Sequence, residues 1–269
     1  MGAEPQGPTE FAAVDVTLST PDWEMNATVA VPVGPTPVAA LLPLAQRLSD
    51  QVVSFTEQAL ARQGKSISCK KGCGACCRQL VPISEVEARR IRDLVAGLPE
   101  PRRSEIHARF ADARRRLSDA GLLNRLLHPE EWTPAAYASL AARYFQEKLA
   151  CPFLDEESCS IHPDRPLTCR EYLVTSPAEN CAQPTPETID RVRLPLKVVN
   201  AVARLNVPPT RPFLESWVPL VLAPEWADAH PDESPLRSGR EWLRELFEHL
   251  YDKDTADADG QPLSPRGTA

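Results

Sequence analysis

The sequence predicts a mainly helical protein with a small N-terminal β-hairpin and an irregular cysteine-cluster core that is stabilised by metal. Apolar residues recur at helical spacing over much of the chain, and two short alternating segments near the N-terminus are typical of strands. Proline is abundant, at 28 of 269 residues, which favours short elements joined by turns. Eight cysteines in two groups provide the chemistry for the core.

The first part of the chain is expected to form a hairpin and a helix. Residues 12–19 and 26–33 alternate between apolar and polar, and a turn-prone segment separates them. Because a lone hairpin is only marginally stable, it should pack on the next helix, 38–62, whose apolar positions share one face. Gly64 then ends that helix.

A helical insert is expected over residues 84–149. Ser84 and Glu87 form a capping box that begins its first helix. Gly121 is a natural end for a second helix, and Thr133 is the N-cap of a third. This insert should bring the second cysteine group back beside the first.

The chain is therefore expected to divide into four parts. Residues 1–64 form the hairpin and helix, and residues 65–182 form a cysteine-cluster metal-binding domain that contains the insert. Residues 183–251 form short helices that pack on the same core. Residues 252–269 are polar and contain proline, so we expect a disordered tail.

The cysteines are the most informative residues. The first group reads Cys-x3-Cys-x2-Cys-Cys and comprises Cys69, Cys73, Cys76 and Cys77. The second group comprises Cys151, Cys159, Cys169 and Cys181. Clustered thiols gain little as packing residues, but thiolates are good ligands for soft metals and metal–sulfur clusters. We predict that all eight are metal ligands, in one site or in two.

Disulfides explain the pattern less well. Cys76 and Cys77 are neighbours, and consecutive Cα atoms lie about 3.8 Å apart, below the usual disulfide range. The sequence shows no secretory signal and no apolar run of membrane-spanning length, so we expect a reducing cytoplasm and no membrane partner.

Other residues near the cysteines have two interpretations each. His162 could be a further ligand, or a hydrogen-bonded or surface histidine. Basic residues could offset the thiolate charge or could be ordinary surface charge; they are Lys70, Lys71, Arg78, Arg165 and Arg170.

The overall charge argues against a general nucleic-acid binder, because the chain carries a net charge of −7. The distribution is uneven: residues 65–125 hold 14 basic and 7 acidic side chains, whereas residues 225–260 hold 4 basic and 11 acidic ones. The simplest interpretation is two solvated faces, which could attract each other, and the alternative is an anionic partner for the basic stretch. A metal ion is the expected partner, and the sequence does not indicate a protein partner.

The ordered motifs resemble the YkgJ-type cysteine-cluster family. The resemblance rests on the first cysteine group, on Cys-Pro-Phe-Leu from Cys151, on the run from Cys159 to Arg170, and on Asn-Cys at Cys181. It implies a zinc- or iron-chelating domain, and flagellin lysine methylases are counted among the relatives of this family. His162 departs from the pattern, since tyrosine is more common there.

We interpret the protein as a metal chelator that holds an iron–sulfur cluster or zinc through thiolates. Iron–sulfur is favoured because Cys73-x2-Cys76 and Cys151-Pro152 resemble ferredoxin dipeptides. One alternative is an enzyme that uses the cluster for redox chemistry or, by family analogy, protein N-methylation. Another is a purely structural zinc module that mediates a protein interaction.

Specific enzyme signatures are weak. Cys-x3-Cys-x2-Cys is also the spacing of radical S-adenosylmethionine enzymes, but the downstream chain lacks their alternating strands and helices. No glycine-rich loop follows a strand, and no nucleophile elbow is present. Catalytic residues therefore stay unassigned.

Overall fold

The computed structural model describes residues 10–21, 23–185 and 187–252. Helices dominate these ranges, and an antiparallel hairpin precedes them, so the predicted fold class is confirmed. The expectation of disorder for the C-terminal tail falls on residues 253–269, outside the described ranges, and on residue 252.

Helices lie close to the predicted positions over residues 42–62, 85–119 and 134–146, whereas the short helices 123–127 and 167–171 were not predicted. Within the described ranges the helices are α1 (Leu42–Arg62), α2 (Glu85–Ala96), α3 (Arg102–Asp119), α4 (Leu123–Leu127), α5 (Pro134–Gln146), α6 (Leu167–Glu171), α7 (Val198–Arg204), α8 (Ala223–Ala229) and α9 (Gly239–Tyr251). A 3₁₀ turn, Val38–Leu41, leads into α1.

Three two-stranded sheets accompany the helices. Their strands are β1 (Phe11–Ser19), β2 (Glu24–Pro32), β3 (Pro82–Ser84), β4 (Leu154–Asp155), β5 (Ser158–Cys159) and β6 (Trp217–Pro219). All three pairs are antiparallel: β1 with β2, β3 with β6, and β4 with β5.

The hairpin packs on the first helix, α1, and on the last helix, α9. Trp23, beside its turn, stacks on Phe55 of α1 with ring centroids 5.0 Å apart. Strand β2 also contacts α9, and the backbone N–H of Ser19 donates to the Tyr251 hydroxyl of α9 at 2.9 Å. The predicted contact with α1 is confirmed, and the contact with α9 is an addition.

Helix boundaries follow the predicted capping chemistry. Ser84 accepts from the Glu87 backbone while the Glu87 side chain accepts from the Ser84 backbone, which completes the capping box of α2. Thr133 caps α5, and Gly121 follows α3 at a φ of 68°. These signals were readable because each depends only on residues three or four apart.

Two hydrophobic clusters form the core. The larger cluster joins the hairpin with α1, α4, α5, α7 and α9. The smaller one joins α2, α3, β3 and β6 with Phe153 and Ile161, and Cys151 and Cys159 pack against it. Phe153 is 1% exposed, and burying such a side chain contributes about 2–3 kcal/mol. The loops that carry cysteines are therefore attached to the core by their own apolar neighbours.

The basic and acidic stretches meet across α2, α3 and α8. Arg114 pairs with Glu225 at 2.7 Å, and the Arg89 Nε donates to the His230 carbonyl at 3.0 Å. This is the predicted attraction between the two faces. Among the described residues, no helix combines the length and the apolar composition needed to cross a membrane.

Candidate metal centre

A cavity of about 100 Å³ brings both cysteine groups together. Six of the eight cysteines line it: Cys73, Cys76, Cys77, Cys151, Cys159 and Cys169. The two groups are far apart in sequence, so this convergence is a property of the fold. It is the arrangement expected if the helical insert returns the chain to its starting point.

The first group is shaped by a tight backbone turn. Gly72 adopts a φ of 89°, a conformation that glycine reaches at little cost. Cys73 donates its backbone N–H to the Lys70 carbonyl at 3.1 Å, and a 3₁₀ turn, Ala75–Arg78, carries the next two cysteines. The turn places four thiols within a short arc of chain.

The next cysteines arrive through a direct backbone contact. The Cys151 N–H donates to the Cys77 carbonyl at 2.8 Å. From there the chain forms the β4–β5 hairpin, in which Leu154 pairs with Cys159. Arg78 holds this hairpin to the first group through a two-pronged ion pair with Glu157, at 2.6 and 2.9 Å.

Gly74 allows the hairpin to approach the first group. A Cβ atom at this position would lie 2.8 Å from the Glu157 carbonyl oxygen and 2.8 Å from Leu154 Cδ1. No real side chain tolerates such contacts with a backbone atom. The glycine is therefore required by close packing between the two groups.

Arginines of α3 hold the hairpin from the other side. Arg109 donates to Asp155 at 2.6 Å and to the Pro152 and Leu154 carbonyls at 3.1 and 3.2 Å. Arg102 also pairs with Asp155. The helical insert thus positions Cys151 and Cys159 directly.

Helix α6 supplies Cys169 and is fixed to the interior. The Leu167 N–H donates to Glu87 Oε1 at 2.7 Å, and Arg170 pairs with Asp50 of α1 at 2.9 Å. Arg170 also donates through Nε to the Arg165 carbonyl at 3.0 Å. Arg170 is 7% exposed while Asp50 is exposed, so these partly buried bonds hold the turn before Cys169 in place.

Cys69 and Cys181 lie beside the cavity and are not among the residues that line it. The Ser68 N–H donates to the Val174 carbonyl at 2.9 Å, and the Val174 N–H donates to the Cys69 sulfur. The 3₁₀ turn Ala178–Ala182, which carries Cys181, contacts the turn Ala75–Arg78. Both thiols therefore sit on the side of the first group that faces residues 174–182.

Burial keeps most of the thiols protonated. It raises the pKa of Cys151 to about 12 and that of Cys181 to about 12, and it raises the pKa of Cys169 well above its ordinary value. Cys76 differs, because the Cys77 thiol donates a hydrogen bond to its sulfur and lowers the pKa of Cys76 to about 7. The same bond raises the pKa of Cys77. Metal binding at these thiols must displace protons.

Negative charge on other cysteines also contributes to the raised pKa values. Thiolate charge on Cys76, Cys69 and Cys73 raises the pKa of Cys181. Charge on Cys151, Cys76 and Cys159 raises the pKa of Cys169.

Among the predicted charge-balancing residues, Arg165 is the best placed. It lines the cavity, and its buried Nε has no hydrogen-bond partner among the described residues. Arg78 instead forms an ion pair with Glu157, and Arg170 forms one with Asp50. Lys70 also lines the cavity and is exposed to solvent.

His162 lies in the cavity wall, where burial and the nearby Arg165 charge lower its pKa. A lowered pKa favours the neutral ring, which both a ligand and a hydrogen-bonding histidine require.

The donor set fits a thiophilic metal. All eight cysteines lie in the described ranges, and each is a free thiol. The Phe153 N–H donates to the Cys151 sulfur and the Ile161 N–H donates to the Cys159 sulfur, contacts that stabilise thiolates. Among the described residues, however, no three Cys, His, Asp or Glu side chains already converge as a finished metal site. Binding would therefore require the thiol side chains to rotate toward one another.

The apolar part of the cavity wall was not predicted from the sequence. It contains Phe153, Ile161 and Leu220, with Tyr172 beside them. The Gln79 amide donates to the Tyr172 hydroxyl at 3.4 Å. Leu220 follows β6, and only the β3–β6 pairing brings it near the cysteines. No local pattern in the sequence predicts that pairing of strands.

Comparison with known proteins agrees with this chemistry. Residues 68–188 match the CxxCxxCC family model, whose description reads "Putative zinc- or iron-chelating domain". No curated protein and no solved structure shows a significant match to the chain. Residues 68–188 are therefore similar to this family of metal-chelating domains, which is consistent with the YkgJ-type resemblance of the motifs.

Proposed function

We propose that the protein binds metal through the thiolates of its eight cysteines, as an iron–sulfur cluster or as zinc. The observation that carries this proposal is the cavity lined by six cysteines from two distant segments. Thiolates in such numbers suit either form, since four cysteines can hold one zinc ion or one iron–sulfur cluster. Iron–sulfur is favoured by the ferredoxin-like dipeptides Cys73-x2-Cys76 and Cys151-Pro152.

The surroundings support tight and protected binding. Apolar side chains such as Phe153 and Ile161 exclude water from one side of the thiols. Arg165 offers positive charge against the excess negative charge that four thiolates place on a divalent ion.

The test is metal analysis and an absorption spectrum of protein purified without oxygen. Iron and sulfide in equal amounts, with a broad absorption band in the violet, would select the cluster. Colourless protein with stoichiometric zinc would select zinc. Protein that is folded and carries neither metal, and that takes up neither on reconstitution, would refute the proposal.

A second candidate is an enzyme that uses the bound metal. The apolar half of the cavity favours it, because a purely structural site has no need for open space beside the thiols. The reactions suggested by family resemblance are redox chemistry and protein N-methylation. Reversible reduction of the cluster, or binding of S-adenosylmethionine to the metal-loaded protein, would support this candidate. Absence of both would favour a structural module that mediates a protein interaction.

A further inference from the structure

The turn Ala75–Arg78 lies between two groups of thiols. On one side are Cys151, Cys159 and Cys169, in the β4–β5 hairpin and in α6. On the other side is the segment that carries Cys181. We propose that the eight thiolates form two separate four-cysteine metal sites, one on each side of this turn. This inference rests on the proposed function and adds the pairing of ligands.

The inner site would consist of Cys77, Cys151, Cys159 and Cys169. All four line the cavity. The Cys151 N–H donates to the Cys77 carbonyl at 2.8 Å. Cys159 is placed by its pairing with Leu154 in the β4–β5 hairpin. Cys151 and Cys159 both pack against the smaller hydrophobic cluster. Helix α6, fixed by Glu87 and Asp50, brings Cys169 to the same wall.

The outer site would consist of Cys69, Cys73, Cys76 and Cys181. Cys69 is joined to the 174–182 segment by the Ser68–Val174 bond and by the Val174 N–H at its sulfur. Cys181 reaches the first group through the contact between its 3₁₀ turn and the turn Ala75–Arg78. Neither Cys69 nor Cys181 lines the cavity, so neither is placed to join the inner ligands.

Cys73 and Cys76 complete the outer site by spacing. Cys73-x2-Cys76 is the short chelate spacing of thiolate sites, and Cys69 precedes Cys73 by four positions. Cys73 and Cys76 also line the cavity and so neighbour both sites, but the inner set is already complete with Cys77. The adjacent pair Cys76 and Cys77 would thus give one ligand to each side.

The experiment is zinc loading followed by alkylation and mass spectrometry. We expect two zinc ions per chain in the unaltered protein. In C181A we expect one zinc ion, with Cys69, Cys73 and Cys76 alkylated and the inner four protected. C159A should give the reciprocal pattern, in which the outer four stay protected. H107A is the control, since His107 is exposed on α3, lies outside the cavity wall and belongs to neither set, so this variant should keep both ions.

A measurement on the unaltered chain covers the case in which a cysteine variant does not fold. Zinc is partly removed with a chelator, and molecules that carry four alkyl groups are sequenced. Labels confined to one set support the division; labels mixed between the sets, or the absence of a four-label species, contradict it. One zinc ion per chain overturns the division alone, whereas folded protein that takes up neither zinc nor an iron–sulfur cluster overturns the proposed function.

Discussion

Cys76 and Cys77 are adjacent thiols with opposite pKa shifts. The Cys77 S–H donates to Cys76, which lowers the pKa of Cys76 to about 7 and raises that of Cys77. Cys76 is therefore the thiol most readily deprotonated for a first encounter with metal, while Cys77 must lose a proton as the metal binds. A disulfide between neighbours would serve neither purpose.

Glu171 is a second residue with altered ionisation, buried at the end of α6. Its Oε1 accepts from Ser49 Oγ at 2.9 Å and from the Val199 N–H at 3.1 Å. Its Oε2 has no partner among the described residues. Burial raises the pKa of Glu171 to about 8, so the folded protein holds a proton there that the unfolded chain loses near the ordinary value of 4.5.

Stability should therefore fall as pH rises between these two values, because the folded state binds more protons than the unfolded state. The slope from this group is at most about 1.4 kcal/mol per pH unit. E171Q keeps the acceptor oxygen and removes the ionisation. We expect it to match the unaltered protein at about pH 5 and to be more stable at about pH 9 in urea unfolding.

E87Q is the contrasting variant. Glu87 accepts from the Ser84 N–H and hydroxyl and from the Leu167 N–H, so both carboxylate oxygens are used. An amide would lose one acceptor, and E87Q should be destabilised by about 1–3 kcal/mol.

If E171Q kept the same dependence of stability on pH as the unaltered protein, the burial of Glu171 would not be the source of that dependence.

At the level of elements, the β4–β5 hairpin and the turn Ala75–Arg78 act as one unit that meets at Gly74. G74A would place a methyl group 2.8 Å from the Glu157 carbonyl oxygen and should force the two elements apart. We expect reduced metal content and a lower melting temperature. G34A is the matched control, because no atom lies within 4 Å of a Cβ there. Equal metal content in both variants would contradict the close-packing argument.

Arg109 tests the role of the helical insert. R109M removes donors to Asp155 and to the Pro152 and Leu154 carbonyls, which hold the hairpin that carries Cys159. We expect the metal to be lost to a chelator about tenfold faster. That factor corresponds to the net stabilisation from about one charged hydrogen bond. R115M is the control, since Arg115 is 65% exposed and, among the residues that the structure describes, forms ion pairs with Asp112 and Asp119 of its own helix. Similar chelation rates for the two variants would count against this anchoring.

The elements also show what a sequence can predict. The capping box at Ser84 and the N-cap at Thr133 follow from short-range patterns, and both are confirmed. Strands β3 and β6 were missed because each has only three residues, one of them a proline, and is too short to show an alternation of apolar and polar side chains. For the same reason the apolar wall near Leu220 could not be predicted, although the ligand types could. The four-part division of the chain stays a prediction.

At the scale of the whole molecule, metal should stabilise one region selectively. The larger hydrophobic cluster, with α1, α5 and α9, is built without cysteines. The segments around the cavity depend on short turns and two-residue strands. On chelation we expect faster hydrogen exchange in residues 68–80 and 151–182, and little change in α1 and α9. A uniform increase over the chain would mean that the metal supports the entire fold.

The most direct test of the central claim is a count of reactive thiols in the native protein, with and without a strong chelator. If the cysteines bind metal together, few or none of the eight should react while the metal is bound, and all eight should react after its removal and unfolding. Eight thiols that react equally before and after chelation, in a protein that stays folded, would contradict the account.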